Sequence, residues 1–457
     1  MSVQRLACAV SALALLSACT VGPAYQRPAL ATPTPTPLPA AFKALDGWKP
    51  ATPGDLLDRG DWWTLLGDPR LDALIARVNV SNQTIAAAEA NYRQARALVR
   101  EQRASLFPTL DLTGSATRSG DSGATSSGTS GSSSGQRYQA GIGASWEPDV
   151  WGRIRQTVSG AQASAQASAA DLAAAKLSMQ GELATNYLGL RQTDAEIALV
   201  AKTVEGYQRS LTITQNRYAA AIAPKSDVLQ AQTQLAGTQA DLASLEQTRA
   251  TYENAIAVLV GEPASAFKVA ADPGWTAQLP DVPAGVPSTL LERRPDIAAA
   301  ERRVAAANAD IGVARAAFFP TLSLTGSGAS GASRLGDLFS ASANTWSLGL
   351  SAAQTLFDAG ARKARVEQAR ASYDASVADY RQTVLTAFED VENQLTGVRV
   401  LELRYGLLRT SSSAADQTEQ MLLNQYRAGQ VAYTDVVTAQ ASALSARRAL
   451  LTAAVAR

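Results

Sequence analysis

The 457-residue chain has no histidine and only two cysteines, Cys8 and Cys19. The first absence removes the commonest general base, proton shuttle and metal ligand. The second leaves no disulfide framework, thiolate zinc site or cysteine nucleophile beyond residue 19. Three methionines without histidine make no copper or zinc site. Aromatic residues are only 6% of the chain. Beyond Cys19 no apolar run approaches the roughly 18 residues of a membrane-spanning helix, so a bilayer crossing would need a closed β-barrel. Lys+Arg (41) and Asp+Glu (40) nearly cancel to a net charge of +1, which gives no electrostatic case for a nucleic-acid partner. Alanine, at roughly a fifth of the residues, is far above ordinary usage. Such a chain favours long, closely packed helices over a thick globular core.

The first residues read as an address. Arg5 precedes the apolar run Leu6 to Leu16, the size of a secretory signal core. Leu16-Ser17-Ala18-Cys19 has the spacing of a bacterial lipobox. This predicts a lipoprotein signal over residues 1–18 and a lipidated Cys19 as the mature first residue. No aspartate follows Cys19; Thr20 stands there. Thr32-Pro-Thr-Pro-Thr-Pro-Leu-Pro39 is an extended tether.

The chain is written twice. Leu106-Phe-Pro-Thr-Leu-Asp-Leu-Thr-Gly-Ser115 recurs as Phe318-Phe-Pro-Thr-Leu-Ser-Leu-Thr-Gly-Ser327, and Tyr218, Asp227 and Gln232 recur as Tyr426, Asp435 and Gln440. The expected organisation is a tether and equatorial segment over 19–70, repeat 1 over 71–260, a Pro-rich equatorial connector over 261–288 and repeat 2 over 289–457. Each repeat begins with a helix, over 71–106 and 289–318. Pro108 or Pro320 breaks it, and the hydrophobic period changes from 3.6 to 2. Strands are expected at about 107–118, 137–147, 319–329 and 344–355. Long helices follow at about 152–220 and 360–428, each roughly 100 Å at 1.5 Å per residue. Shorter helices return over about 226–260 and 434–454. Helices that long need partners along their length, so coiled-coil pairing is expected.

Strands of about ten residues with apolar and polar positions alternating suit a tilted membrane barrel, with Tyr138, Trp146 and Trp346 as its aromatic girdle. A soluble hairpin with one wet face gives the same alternation. Four strands cannot close around a lumen, since about eight is the usual minimum, so several chains must share one barrel. Loops 119–135 and 327–344 are then expected outside the cell.

Several motifs together resemble the TolC-like outer-membrane factors, in the lipoprotein (OprM- and NodT-like) branch that serves RND-type efflux pumps. They are Cys19-Thr-Val-Gly-Pro-Ala-Tyr-Gln-Arg-Pro28, Trp62-Trp63 with Leu66-Gly-Asp-Pro69, Leu290-Leu-Glu-Arg-Arg-Pro-Asp-Ile297, Ala300-Glu301 and the paired Phe-Pro-Thr-Leu. The resemblance implies a mainly α protein with a membrane β-barrel. A homotrimer would build a 12-stranded barrel and a periplasmic α-helical coiled-coil barrel, embedded in outer-membrane lipid. Its implied partners are a periplasmic adaptor protein and an inner-membrane RND-type transporter. It implies no catalysis and no cofactor. It also implies a periplasmic gate: Asp227 and Tyr426 match a linked pair, and Asp435 matches an aperture aspartate. An arginine of a second link falls at Val431, Thr438 replaces a second aspartate, and the tip glycine is kept at Gly429 but is Ala221 in the first copy. Read on chemistry alone, Ser226-Asp227 and Thr434-Asp435 are helix N-termini, with Ser226 and Thr434 as caps and the acids suiting the dipole.

The expected function is the outer-membrane channel of a tripartite efflux pump for drugs or other small molecules. The alternatives are the channel of a type I secretion system and a non-conducting structural coiled-coil lipoprotein. Gly326-Ser-Gly-Ala-Ser-Gly331 fits a nucleotide-loop pattern but follows a membrane-type strand with no helix after it, which excludes that use. Glu389-Asp390 and Glu392 read as a solvated face or pore wall. The lipobox gives a direct test. Metabolic palmitate labelling is expected for the wild type and lost in Cys19→Ala; equal labelling of both removes the anchor.

Overall fold

The computed structural model describes residues 21–28, 60–121, 133–276, 294–338, 340 and 344–457. Cys19 and the first half of the Leu290–Ile297 motif, residues 290–293, lie outside them. The helices are α1 (Pro69–Ser81), α2 (Gln83–Ala104), α3 (Arg153–Ala219), α4 (Lys225–Leu259), α5 (Pro295–Ala316), α6 (Ala361–Arg427) and α7 (Tyr433–Ala456); the strands are β1 (Thr109–Asp121), β2 (Ser133–Trp146), β3 (Thr321–Ala332) and β4 (Asn344–Ala353). Among the described residues no helix is long and apolar enough to cross a membrane. Two compact units form, and they cut across the repeats. One takes Asn91–Ala170 and Ile297–Thr383 with the N-terminal segment; the other takes Asp171–Asp296 and Val384–Arg457 with residues up to Ala90.

The first unit holds an antiparallel sheet in the order β1-β2-β3-β4, so β1 and β4 are open edges. Its register sorts side chains by chemistry. Leu110 pairs with Ala144, Leu112 with Ile142, Trp146 with Leu324, and Leu324 with Leu350. Period 2 puts all of these on one face. Leu110, Leu112, Ile142, Trp346, Leu348 and Leu350 on that face are between 58% and 84% exposed. The opposite face carries hydroxyls, with Thr109 and Ser145 2.9 Å apart and Ser327 and Ser347 2.8 Å apart.

Two expectations need correction here. The Phe-Pro pairs are turns rather than strand, so β1 and β3 begin at Thr109 and Thr321. The Gly/Ser run also pairs further than composition suggested: Ser119 faces Gly135 and Asp121 faces Ser133. Backbone ladders need no side chain, so glycine and serine do not stop them once a register is set.

The junctions between sheet and helices are fixed by indole donors and aspartate caps. Trp146 donates to the Leu106 carbonyl at 2.9 Å, and Trp151 donates to the Pro320 carbonyl at 2.7 Å while stacking on Phe319. Asp149 accepts from the Ile154 and Arg155 amides; Asp358 accepts from the Gly360 and Arg362 amides. Each also pairs with the arginine it caps, Arg155 or Arg362. These acids start both long helices.

The expected helix over 71–106 is broken. Asn82 ends α1 and caps α2, accepting from the Thr84 and Ile85 amides and donating to the Leu259 carbonyl at 2.8 Å. An asparagine satisfies the free amides of a new helix start better than it serves a helix interior. Trp62-Trp63-Thr-Leu-Leu66 forms a 3₁₀ turn ended by left-handed Gly67, and Asp68 then caps α1 with Pro69 at its first position.

In the second unit a core of Trp63, Leu71, Ile75, Val78, Leu183, Tyr187, Leu190 and Ile256 packs α1, α3 and α4 together. Beside it lies a buried ion network. Arg191 (0% exposed) donates to Asp194 (1% exposed) at 2.9 Å and to the Ala270 carbonyl at 2.8 Å. Arg249 donates to Asp194 at 2.6 Å and to the Val269 carbonyl at 2.7 Å. Asp194 also accepts from the Asp272 amide, and Glu253 from the Val269 amide. The network thereby pins the start of the connector to α3 and α4. Arg191 lies over the Tyr187 ring, whose hydroxyl donates to Asp68 at 2.6 Å. Burial, followed by that bond, pushes the Tyr187 phenol up to about 12.

Removing the shared carboxylate leaves a buried guanidinium uncompensated, at about 3–5 kcal/mol. Asp194→Ala is expected to lower the apparent unfolding midpoint followed by helical circular dichroism well below that of the exposed-site variant Asp241→Ala. Equal midpoints would remove the network from the stability account.

Candidate functional site at the helix ends and the sheet

Both long helices end in left-handed turns. Ala221 has φ 56° and Gly429 has φ 78°. The amides of Ile222 and Gln430 close the turns onto the carbonyls of Arg217 and Gln425, both at 2.9 Å. Glycine takes this conformation freely, whereas Ala221 holds it at a cost of roughly 1–2 kcal/mol. The return helices start at Pro224 and Ala432, neither of which gives a side-chain cap. Ser226 and Thr434 therefore lie inside the helices and are not the caps that sequence chemistry suggested, while Asp227 and Asp435 sit in the first turns, where they suit the helix dipole as expected.

An apolar cluster fills the space between these turns: Tyr207, Leu211, Ala231, Leu235, Tyr426, Tyr433 and Val436. Val431, where the resemblance would put an arginine, packs against it as an apolar side chain. Tyr426 is 3% exposed, and its hydroxyl donates to Asp227 at 3.3 Å. The sequence-matched pair is thus in contact, across the two repeats. The bond is longer than the usual 2.5–3.0 Å or so for a hydroxyl donor. Burial, then the Asp227 charge, raises the Tyr426 phenol above its ordinary range. The Tyr433 ring lies 5.1 Å from the Tyr426 ring.

Arg217 is the residue that sequence reasoning missed. Its guanidinium lies 4.8 Å from the Tyr426 ring centroid and donates to the Arg427 carbonyl at 3.3 Å. The residue stands beside the repeated Tyr218, but its counterpart in repeat 2 is Gln425, so the repeat itself gave no signal. The repeats differ elsewhere too: Tyr218 is 48% exposed while Tyr426 is buried, and Gln440 is buried on Ser210 while Gln232 is exposed. Asp435 is exposed. Thr438 donates back to the Thr434 carbonyl of its own helix.

The three aromatics of the sheet occupy different rows of the register. Trp146 pairs with Leu324, Tyr138 with Ala332, and Trp346 with Gly328 midway between them. Trp346 is 84% exposed.

The described N-terminal segment, 21–28, lies on helices of the first unit. Val21 donates to the Trp151 carbonyl at 3.4 Å, Asn308 to the Pro23 carbonyl at 3.1 Å, and Tyr25 to Glu301 at 2.8 Å. A Cβ on Gly22 or Gly312 would meet the other's Cα at 3.2 Å, so both positions need glycine for this close approach. Arg294 joins Asp296 and Asp390. Part of the acidic cluster on α6 is therefore an ion pair. Among the described residues no group of three or more acidic, cysteine or histidine residues could hold a metal.

Known proteins carry the same architecture. The sequence model of the outer membrane efflux protein family matches residues 74–262 and 286–457. The pyoverdine export outer membrane protein OpmQ of Pseudomonas aeruginosa is 32% identical over 432 residues, covering 93% of this chain and 90% of its own. The toluene efflux pump outer membrane protein TtgC of Pseudomonas putida is 31% identical over 467 residues, covering 99% and 92%. The solved outer-membrane channel OprN superposes with a TM-score of 0.84 at 31% identity, over 96% of both chains. By sequence and by fold, the chain belongs to the outer membrane efflux protein family.

Proposed function

We propose that this protein is the outer-membrane channel of a tripartite efflux pump and carries drugs or other small molecules to the exterior. The observation that carries the reading is the four-stranded sheet with one exposed apolar face, one hydroxyl-lined face and two open edges. Three copies would contribute 12 strands to one barrel, apolar side to lipid and polar side to the lumen. Tyr138 and Trp146 lie roughly 26 Å apart along β2 at about 3.3 Å per residue. A tilt of about 40° reduces this to roughly 20 Å, within an apolar band roughly 25 Å tall that aromatics flank. The long helices α3 and α6, with their return helices, would form the periplasmic tunnel. A periplasmic adaptor and an inner-membrane RND-type transporter would meet the tunnel.

The binding of Val21 to Trp151, beside the sheet junction, supports a Cys19 lipid anchor at the membrane surface. OpmQ and TtgC are named for pyoverdine and toluene. Different cargoes on similar chains support cargo choice by the transporter.

The turns at the ends of the long helices would be the periplasmic gate. Asp227 and Tyr426 hold it closed, and Asp435 in three copies forms an acidic aperture that attracts cations. A hydroxyl–carboxylate bond of this length contributes about 0.5–1 kcal/mol net. Three copies would then shift a concerted closed–open ratio about 10-fold to 100-fold. In planar bilayers, Asp227→Ala with Tyr426→Phe is expected to raise conductance, and Asp435→Ala to weaken block by multivalent cations from the periplasmic side. Wild-type conductance and block in both variants would reduce these aspartates to helix-start acids. Absence of any conductance from purified wild-type protein would instead favour the non-conducting structural lipoprotein.

A further inference from the structure

We propose that Arg217 is a positioning residue of the gate: it clamps the Tyr426 ring and the end of α6, so that the phenol is presented to Asp227. The inference rests on the reading of these turns as a gate and adds a residue to it.

The bond from Tyr426 to Asp227, at 3.3 Å, is too long to fix the phenol by itself. Within its apolar cluster, three contacts bear on the ring and its hydroxyl. Tyr433 touches it, Asp227 meets its hydroxyl, and the Arg217 guanidinium covers it at 4.8 Å. Only Arg217 also reaches the backbone of the helix that carries Tyr426, through the Arg427 carbonyl. Arg427 is the last residue of α6, where carbonyls lack helical partners and the dipole favours a cation. Gly429 is required here by its left-handed backbone, φ 78°, rather than by space, since a Cβ there would stand in ordinary contact with Nη2 of Arg217 at 3.9 Å. Arg217 itself lies in the last turn of α3. A single side chain therefore ties the end of the first long helix to the end of the second and holds the ring between them. Lysine could sit over the ring, but it lacks the planar fork that covers a ring and reaches a carbonyl together.

A cation–π contact of this kind shifts a two-state ratio roughly 2-fold when exposed and up to about 30-fold when shielded. Purified full-length protein in planar bilayers separates this role from a structural one. Arg217→Gln removes three such contacts from a trimer, so it is expected to raise the open-to-closed ratio by at least about 10-fold, and Arg217→Lys by less. Tyr426→Phe keeps the ring, so Arg217→Gln should retain most of its effect in that background. Tyr426→Leu removes the ring, so Arg217→Gln should add little there. Unfolding midpoints of Arg217→Gln and Arg217→Lys close to that of the wild type are expected, which would separate a change in opening from loss of the fold.

An unchanged open fraction in Arg217→Gln while Asp227→Ala opens the channel overturns the clamp and leaves the gate standing. An equal effect of Arg217→Gln with and without the Tyr426 ring also overturns it. If neither Asp227→Ala nor Arg217→Gln alters opening, the gate reading falls and the clamp falls with it.

Discussion

Everything in the proposed assembly follows from the edges of one sheet. Strands β1 and β4 each leave a row of backbone donors and acceptors without partners in the sheet. In hydrocarbon each unpaired group costs several kcal/mol, so the sheet can enter a membrane only as part of a closed barrel. In water, its leucine and tryptophan face would be a large exposed apolar patch. Neither problem is soluble within one chain. Two chains would give eight strands, a barrel whose interior side chains fill. Three give 12 strands and leave a lumen, which the small hydroxyl and glycine residues of the polar face suit.

The helices solve a different problem with little material. A chain that is a fifth alanine packs helices closely but gains little per residue from burial. Stability is concentrated instead at a few dense points. The aromatic and aliphatic core around Tyr187 and the Arg191–Asp194–Arg249 network hold α3, α4 and the connector. The tyrosine cluster holds the helix ends. Between these points Val200, Leu245 and Leu444 form a smaller core with Ile197, Leu199, Val204 and Leu242.

The sequence made the repetitive features legible. Alternation in Leu110-Asp-Leu-Thr-Gly114 and the long turn-free runs after Gly152 and Gly360 announced strands and helices through their periods alone. The contact between Asp227 and Tyr426 was reachable through the repeat and the family resemblance. What stayed hidden depended on groups distant in sequence or on single atoms. Asn82 was lost inside an apolar stripe that continues across the break. Arg191, Asp194 and Arg249 look like ordinary polar residues of long helices, and only the fold buries them together. Arg217 has no counterpart in the second repeat, and its partners lie about 200 positions away. The N-cap assignments failed by two residues because Pro224 and Ala432, which contribute no side-chain oxygen, take those positions.

The central claim is that one chain supplies a third of a closed barrel. Native mass measurement of the detergent-extracted, mature protein tests it most directly, because the number of copies follows from the mass without any assay of transport. The account predicts a single species of three chains that persists on dilution. A species of one or two chains would contradict it, since four strands leave their edges open and eight leave no lumen.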